Sequence, residues 1–330
     1  MFPIEFKSKW LLWGQRRIEK GAWLFAPLSW LWGCVSHCKN FLYDRKWLPI
    51  EKINRPVVSI GNLVAGGTGK TPLVHLIASH FAHRQVAILC RGYGEIPDEA
   101  LLLQRRLPHT KVYIGRDRVK MARQAMANGA QLILLDDGFQ YRRLHRDFDF
   151  VILSGADPFG KGHYLPWGFL RDSPKRLRSA DAVFVSGKGP FSSPHFALQV
   201  QVERILDLSE KEVSSIKGWP VAVFCGIAKP AVFKKTVVDQ GAQIVHEWIL
   251  ADHEGAGLKE LHAFAKKSKS LGAKALVCTE KDYVKLYRDL RLPLPLLFFE
   301  ISFRLSSGQK EWEKLIAKID QKIDNISAYE

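Results

Sequence analysis

Residues 56–71 read PVVSIGNLVAGGTGKT, an apolar run that ends in a cluster of glycines followed by a lysine and a threonine. The β-rich start of this stretch predicts a strand, and residues 72–84 have the periodicity of a helix. Glycines between a strand and a helix let backbone N–H groups wrap phosphate oxygens, which the helix N-terminus also attracts. The stretch therefore predicts a strand–loop–helix unit that binds the phosphates of a nucleotide.

Each residue of this loop has an expected task. Lys70 is expected to reach the β- and γ-phosphates, and the hydroxyl of Thr71 to bind Mg²⁺. The strict motif has glycine at position 64, where this chain has Val64, so the flexibility falls to the later glycines. The predicted nucleotide-binding residues are Gly66, Gly67, Thr68, Gly69, Lys70 and Thr71.

A second apolar run, LILLDD at residues 132–137, ends in two acidic residues. A buried strand that ends in a carboxylate is where proteins with this kind of loop hold Mg²⁺. Neighbouring side chains on a strand point to opposite faces, so only one of Asp136 and Asp137 is expected directly over the metal. The sequence leaves open which of the two it is. The predicted metal ligands are Thr71, Asp136 and Asp137.

The chain from residue 56 onward alternates apolar strands with helices, and it does so in two sets. Unbroken apolar strands alternating with helices predict parallel sheets covered on both faces. We therefore expect an α/β fold with two lobes. The predicted divisions are an N-terminal segment at 1–35, a nucleotide-binding domain at 36–195, a linker at 196–212 and 294–306, a second α/β lobe at 213–293, and a final helix at 307–330.

The composition points to an anionic partner, because the 330 residues carry a formal net charge of +16. Residues 22–35 form an apolar run too short to span a bilayer, which takes about 20 residues. Six of the ten tryptophans fall in the first fifty residues, beside several lysines and arginines. Indole and basic side chains suit the headgroup layer, so residues 1–35 are predicted to form an amphipathic segment at a membrane interface.

Several further motifs occur in a fixed order along the chain. They are SIGN at 59–62, RGYG at 91–94, GRDR at 115–118, DDGFQ at 136–140, LPWG at 165–168, FCGIAKP at 224–230, Asp252-His253 and TEKD at 279–282. Together with GGTGKTP at 66–72 they resemble the tetraacyldisaccharide 4'-kinase family over about residues 10 to 305. The resemblance implies a P-loop NTPase-like parallel sheet and a second, smaller α/β lobe, joined by a two-stranded β linker.

The resemblance also implies an activity, namely ATP- and Mg²⁺-dependent phosphorylation of the 4'-hydroxyl of a lipid A precursor, tetraacyldisaccharide 1-phosphate. The expected location is the cytoplasmic face of the inner membrane, against its anionic surface, as a peripheral or monotopic protein. Asp98 is expected beside the acceptor hydroxyl, paired with His253 from the other lobe, with Lys70 as the third catalytic residue. The expected substrate contacts are Asn62, Glu99, Arg116, Gln140 and Arg171.

Two other classes of function fit parts of the sequence. A GTPase or metallochaperone switch would need a guanine-specificity motif such as N-K-x-D, which Thr279-Glu280-Lys281-Asp282 imitates imperfectly. A nucleic-acid-binding ATPase is suggested by the charge alone. The clustered N-terminal tryptophans favour a membrane over nucleic acid, so no nucleic-acid partner is expected.

Overall fold

The computed structural model describes residues 23–92, 97–189, 196–286 and 290–327. These residues fall into two compact units. The P-loop unit comprises the described residues within 15–93, 103–200 and 303–330, and the second unit those within 94–102 and 201–302. Each unit is described separately.

The P-loop unit is built on a parallel sheet in which the strand order is β3-β2-β4-β1-β5-β6-β7. Every residue of β1, β2 and β4 is buried, as expected for strands covered on both faces. The strands are β1 (Val57–Gly61), β2 (Val86–Cys90), β3 (Lys111–Ile114), β4 (Leu132–Asp136), β5 (Phe148–Ser154), β6 (Ala182–Ser186) and the first residues of β7 (Phe196–Asp207).

Helices of the P-loop unit begin and end where the sequence provides local signals. The Asp117 carboxylate caps one of them, accepting hydrogen bonds from the backbone N–H groups of Val119 and Lys120 at 3.1 and 3.2 Å. Short 3₁₀ helices occur at Trp23–Phe25, Gly160–Gly162 and Pro174–Ser179. The helices are α1 (Ala26–Asp44), α2 (Lys70–His80), the last four residues of α3 (Asp98–Arg106), α4 (Arg118–Ala127) and α8 (Gln309–Ser327).

The last helix, α8, belongs to the P-loop unit. Trp312, Ile319 and Ile323 lie on its buried side. Its polar side is tied down by ion pairs, since Arg84 lies 2.9 Å from Asp320 and Lys322 lies 2.7 Å from Asp147.

Helix α1 buries polar rather than apolar residues. Ser29 and Asn40 are its buried residues, whereas Trp23 just before it and Trp30 within it are more than 70% exposed. The Ser29 hydroxyl donates to the carbonyl of Tyr164 at 2.6 Å, and the Asn40 amide donates to the carboxylate of Asp172 at 2.7 Å. The helix is therefore attached by hydrogen bonds on one side and presents apolar side chains to solvent on the other. Among the described helices, none is long and apolar enough to cross a membrane.

The second unit has a parallel sheet with the strand order β11-β10-β8-β9. One hydrophobic cluster contains Phe224, Phe264 and Phe298, and another contains Phe233 and Phe299. The elements are β8 (Pro220–Cys225), α5 (Pro230–Asp239), β9 (Gln243–Ile249), α6 (Leu258–Ser270), β10 (Ala275–Thr279), α7 (Glu280–Tyr283) and β11 (Leu296–Ser307).

Strands β7 and β11 are neighbours in the sheet order, and each has residues in both units. They correspond to the predicted two-stranded linker, and the predicted fold class is confirmed. Two of the predicted boundaries differ from the structure. Residues 97–102 group with the second unit rather than with the domain predicted at 36–195, and the Asp98 side chain contacts His253 of that unit. The N-terminal segment was predicted to end at residue 35, but α1 continues to Asp44.

Gly61, at the end of β1, allows a close approach that no other residue would permit. A Cβ atom there would lie 2.5 Å from Phe139 Cβ and 2.8 Å from the Phe139 backbone nitrogen. We predict that Gly61→Ala lowers the free energy of unfolding by about 1–3 kcal/mol, the usual cost of overpacking a core. Calorimetric melting would measure it. Gly255→Ala is the matched control, because its Cβ would meet nothing within 4 Å, and equal melting temperatures for the two variants would contradict the prediction.

Candidate active site

The glycine-rich loop joins β1 to α2, as predicted, and α2 begins at Lys70, two residues before the predicted helical periodicity. Gly66 and Gly69 have φ angles of 108° and 97°, in the region that favours glycine. Val64 replaces the first glycine of the strict motif without a positive φ angle, and it is buried and pairs with Leu170 in an isolated bridge. The backbone turns that the loop needs are therefore supplied by Gly66 and Gly69.

Asn62 joins three parts of this region through its side chain and carbonyl. Its amide donates to the hydroxyl of Thr68 at 2.9 Å, and its backbone carbonyl accepts from the Gln140 amide at 2.8 Å. The guanidinium of Arg171 also donates to the Asn62 side-chain oxygen. Asn62 is fully buried, so this network holds the glycine-rich loop from its buried side. Three residues predicted as substrate contacts, Asn62, Gln140 and Arg171, thus lie together.

Asp137 lies between two cations of the same region. Arg171 binds both of its carboxylate oxygens, at 2.6 and 2.9 Å, and Lys70 Nζ lies 3.6 Å from Oδ1. Such a two-pronged arginine–carboxylate contact fixes orientation as well as charge. The backbone of Asp137 is left-handed, with φ of 55°. The carboxylate therefore positions the side chain that is expected to reach the nucleotide phosphates.

Asp136 ends the strand that lies beside β1, with Ile60 as its pairing partner. Its side chain is buried, and its backbone carbonyl accepts from the Arg118 guanidinium at 3.1 Å. Arg118 also donates to the carbonyl of Leu89 and is itself buried. Sequence reasoning used Arg118 only as part of the motif at 115–118 and missed its hydrogen bonds to the ends of two strands. Its position directly after the capping Asp117 was the available signal.

The donor set fits a hard cation such as Mg²⁺. Thr71 supplies a hydroxyl oxygen, and Asp136 and Asp137 supply carboxylates, which are the ligand types Mg²⁺ prefers. In the part of the chain that the structure describes, no group of three or more His, Cys, Asp or Glu residues could hold a metal. That result is compatible with Mg²⁺, which proteins commonly bind through one or two carboxylates plus substrate phosphates.

Arg116 and Asp172 have different surroundings from the network above. Arg116 is exposed in the loop after β3. Asp172 is buried and accepts hydrogen bonds from Asn40 and Ser36 of α1, at 2.7 and 3.3 Å, and from Arg176. Asp172 therefore anchors α1 to the P-loop unit.

The second unit contains a separate cluster around Asp98, the first residue of α3. Asp98 Oδ2 lies 3.1 Å from His253 Nδ1, 3.6 Å from Lys281 Nζ and 3.8 Å from Lys285 Nζ. The carboxylate is nearly fully buried, whereas His253 is partly exposed. The predicted pairing of Asp98 with His253 is thus present geometrically, but both residues belong to the same unit rather than to two lobes.

The electrostatics of this cluster favour an ionised carboxylate. Burial raises the pKa of Asp98, but the hydrogen bond from His253 and the charges of Lys281 and Lys285 outweigh it, so the pKa lies below its ordinary value. The hydrogen bond to Asp98 raises the pKa of His253, against the opposing effects of burial and Lys281. Burial lowers the pKa of Lys281, yet Glu99, Asp98 and Asp252 raise it overall.

Local backbone structure holds His253 in place. Its φ is 64°, a left-handed conformation that costs of order 1–3 kcal/mol for a residue other than glycine. Its backbone N–H donates to the carbonyl of Gly226 at 3.1 Å. A Cβ at Gly226 would lie 3.1 Å from the Ala251 carbonyl oxygen, and closer still to that of Glu254. Glycine at this position of the 224–230 motif therefore lets the histidine loop approach.

The first and last residues of the motif at 279–282 form hydrogen bonds within the protein. The Thr279 hydroxyl donates to the Asp282 carboxylate at 2.6 Å, and the Gly226 backbone N–H donates to Asp282 at 3.0 Å. Asp282 is nearly fully buried, so its carboxylate serves the protein rather than a guanine base. Lys281, between these residues, contacts Asp98. Sequence reasoning used this motif for the resemblance and for the comparison with a guanine-specificity motif, and it missed the position of the lysine in the cluster.

The residues described above lie within the region that this chain shares with a known protein family. A family model described as tetraacyldisaccharide-1-P 4'-kinase matches residues 21–322. The chain belongs to this family. The match spans the glycine-rich loop, Asp136 and Asp137, and the Asp98–His253 cluster. The predicted family and enzyme class are therefore confirmed, and the GTPase-switch and nucleic-acid interpretations are not supported.

Relatives in the family are similar over most of their length. The tetraacyldisaccharide 4'-kinase of Chlamydia abortus is 32% identical over 335 residues, covering 88% of this chain and 91% of the relative. That of Anaeromyxobacter dehalogenans is 35% identical over 324 residues, covering 83% and 84%. A crystal structure of LpxK from Aquifex aeolicus, described as an "apo" form in complex with ATP, has a TM-score of 0.71 and 27% identity, with 89% and 98% of the chains covered.

The Asp98–His253 contact predicts a pH-dependent contribution to stability. Because the pKa of His253 is raised above its ordinary value of 6.5, its protonation stabilises the fold fully below that pH and is lost as pH rises through the folded-state pKa. The lowered pKa of Asp98 adds stability above its ordinary value of 3.8 that is lost as pH falls through the folded-state value. His253→Gln should therefore lower the melting temperature more at pH 6 than at pH 9.

Thermal unfolding followed by circular dichroism would measure this difference. His262→Gln is the matched control, since His262 is an exposed histidine on α6 of the same unit. A His253→Gln effect that is the same at pH 6 and pH 9 would contradict the expected linkage.

Proposed function

We propose that this protein transfers the γ-phosphoryl group of ATP to the 4'-hydroxyl of tetraacyldisaccharide 1-phosphate, a step of lipid A biosynthesis that yields lipid IVA. Membership of the 4'-kinase family supports the activity, and the glycine-rich loop with Lys70 supports the use of ATP. The observation that carries the proposal is the Asp98–His253 pair. A phosphate loop fits many nucleotide-dependent proteins, whereas a buried, ionised carboxylate beside an imidazole suits a hydroxyl acceptor.

In this proposal the Asp98 carboxylate takes the proton of the acceptor hydroxyl. The bond between the 4'-oxygen and the γ-phosphorus forms, the bond from that phosphorus to the bridging oxygen breaks, and ADP leaves with the electron pair. His253 holds Asp98 through Nδ1 at 3.1 Å and stabilises the charge of the pair. Lys70 stabilises the negative charge on the transferring group, which is the main catalytic demand of phosphoryl transfer.

Mg²⁺ when bound neutralises charge on the β- and γ-phosphate oxygens. We assign the Thr71 hydroxyl and the Asp136 carboxylate as its protein ligands. Asp137 was the other candidate, but Arg171 and Lys70 occupy its oxygens. Asp137 then contributes by orienting Lys70, and it contacts the metal only if these ion pairs rearrange.

The proposed substrate contacts differ in what they offer. Asn62, Gln140 and Arg171 form one hydrogen-bonded set, in which an amide or guanidinium can meet sugar hydroxyls or phosphates. Glu99 lies 3.4 Å from Lys281 and offers a carboxylate acceptor beside Asp98. The exposed Arg116 offers a cation for the phosphate-bearing lipid. These roles follow the family motifs.

A membrane surface is the proposed location of the reaction, on the cytoplasmic face of the inner membrane. Helix α1 supports this proposal because its exposed side carries Leu28, Trp30, Leu31 and Val35. Burying such a side chain in the acyl boundary is worth about 1.5–3 kcal/mol, so a few suffice for reversible attachment. The net charge of +16 adds attraction to anionic headgroups.

Substitution of Lys70 and Asp98 tests the chemistry. Lys70→Ala should lower turnover by on the order of 10²-fold or more, as when one transition-state donor is removed. Asp98→Asn should lower kcat by roughly 10²–10⁴-fold with little change in ATP affinity, because the carboxylate acts on the acceptor. Thin-layer separation of radiolabelled product from ATP and purified tetraacyldisaccharide 1-phosphate would measure both. Near-normal turnover by a folded Lys70→Ala protein would contradict the assignment of the glycine-rich loop as the phosphate-binding site.

The membrane proposal predicts that Trp30→Glu with Leu31→Glu weakens flotation with vesicles containing anionic lipid. The polar attachments of α1 through Ser29 and Asn40 remain in this variant, so the fold should persist. Val232→Glu with Val238→Glu is the matched control, since both valines are exposed on α5 and change the charge equally. Equal losses of flotation in the two double variants would mean that charge alone, and not α1, governs binding.

A further inference from the structure

Lys281 contacts three functional groups of the second unit at once. Its Nζ lies 3.6 Å from Asp98 Oδ2, 3.4 Å from Glu99 Oε1 and 3.5 Å from His253 Nε2. We propose that Lys281 is a positioning residue of the acceptor site, which keeps the Asp98 carboxylate ionised and disfavours a second proton on His253. This inference rests on the proposed role of Asp98 as the base.

The two nitrogens of His253 face opposite partners. Nδ1 faces the Asp98 carboxylate at 3.1 Å, and Nε2 faces the Lys281 ammonium at 3.5 Å. In the neutral ring with its proton on Nδ1, Nδ1 donates to Asp98 and Nε2 accepts from Lys281. A second proton, on Nε2, would point an N–H group at the ammonium. Lys281 therefore favours the neutral tautomer that binds the carboxylate.

The charges around the pair come from three segments. Helix α3 supplies Asp98 and Glu99, and the loop before α6 supplies Asp252 and Glu254. The Asp252 carboxylate lies 3.9 Å from His253 Nε2. Helix α7 and the residues after it supply Lys281, Asp282 and Lys285. Asp252 attracts a proton to Nε2 and Lys281 repels it. Whether Nε2 carries a proton thus depends directly on Lys281.

A comparison of the two lysines separates positioning from folding. Lys285 is almost fully buried and donates to the Glu254 carbonyl at 3.0 Å and to Asp282 at 3.2 Å, so it holds the histidine loop to α7. Lys281 is about one fifth exposed, and each contact given above goes to a side chain. Replacement of Lys281 should leave the backbone in place, whereas replacement of Lys285 would break the loop attachment.

The test uses the full chain with Lys281→Met, Lys281→Arg and the control Lys234→Met, which removes a lysine of the same unit from its ion pair with Glu247. The pKa of His253 is followed by NMR of the labelled histidine ring, assigned by comparison with His253→Gln. The pH profile of kcat/KM is measured with ATP and tetraacyldisaccharide 1-phosphate. Lys281→Gln replaces the methionine variant if that variant does not fold.

With Lys281→Met, we expect the pKa of His253 to rise and the acid limb of kcat/KM to move to higher pH. Both groups lose a nearby cation that favours their deprotonated forms. The loss of kcat/KM at neutral pH should be on the order of tenfold, below the roughly 10²–10⁴-fold that a general base contributes. Lys281→Arg should restore both values toward wild type, and Lys234→Met should change neither.

Two results would overturn the proposal. An unchanged His253 pKa in Lys281→Met would show that the contact carries no electrostatic coupling. A shifted His253 pKa with an unmoved acid limb would show that Lys281 touches the pair without acting in the reaction. Failure of the proposed function would look different, since the wild-type protein would then form no phosphorylated lipid while the NMR comparison still decides the coupling.

Discussion

The parallel register of β1 and β4 is the constraint on which the nucleotide site depends. Pairing of Ile60 with Asp136 makes the two strands end at the same edge of the sheet. The glycine-rich loop leaves β1 at that edge, and the acidic pair leaves β4 there. A slip of one residue would turn every side chain of a strand to the opposite face. The close approach of Phe139 to Gly61 fixes the chain beyond β4 against the end of β1.

Each of the two clusters contains a carboxylate that is surrounded by basic side chains. Asp137 lies between Lys70 and Arg171, and Asp98 between His253 and two lysines. Lys70 and Asp137 are both largely buried, and removing one partner of such a pair costs about 3–5 kcal/mol, because the remaining charge is left uncompensated. The Asp137 cluster therefore resists rearrangement. Left-handed backbone at Asp137 and His253 stores strain in both, which surrounding contacts must offset.

The sequence was sufficient for the fold class and for the loop, because both depend on local patterns. Apolar strands alternating with helices specify a parallel sheet, and glycines before Lys70 specify a phosphate loop wherever they occur. The contact of Asp98 with His253 was expected only from the resemblance to the family, since 155 positions separate the two residues and short-range periodicity says nothing about such contacts. The lobe assignment of residues 97–102 differed for the same reason. The motifs did not indicate that the Lys281 side chain meets this pair.

The motif at 279–282 shows how a structural segment can serve a functional one. Thr279 donates to Asp282, and Asp282 also accepts from the backbone N–H of Gly226, which fixes the first turn of α7. Gly226 in turn accepts the N–H of His253. One set of hydrogen bonds therefore fixes both the loop that carries the imidazole and the helix that carries Lys281. From this helix the Lys281 ammonium reaches the Asp98 carboxylate. A change at Thr279 or Asp282 would consequently alter the electrostatics around the Asp98 carboxylate, although neither side chain contacts Asp98. In this respect the motif differs from a guanine-binding motif of similar sequence.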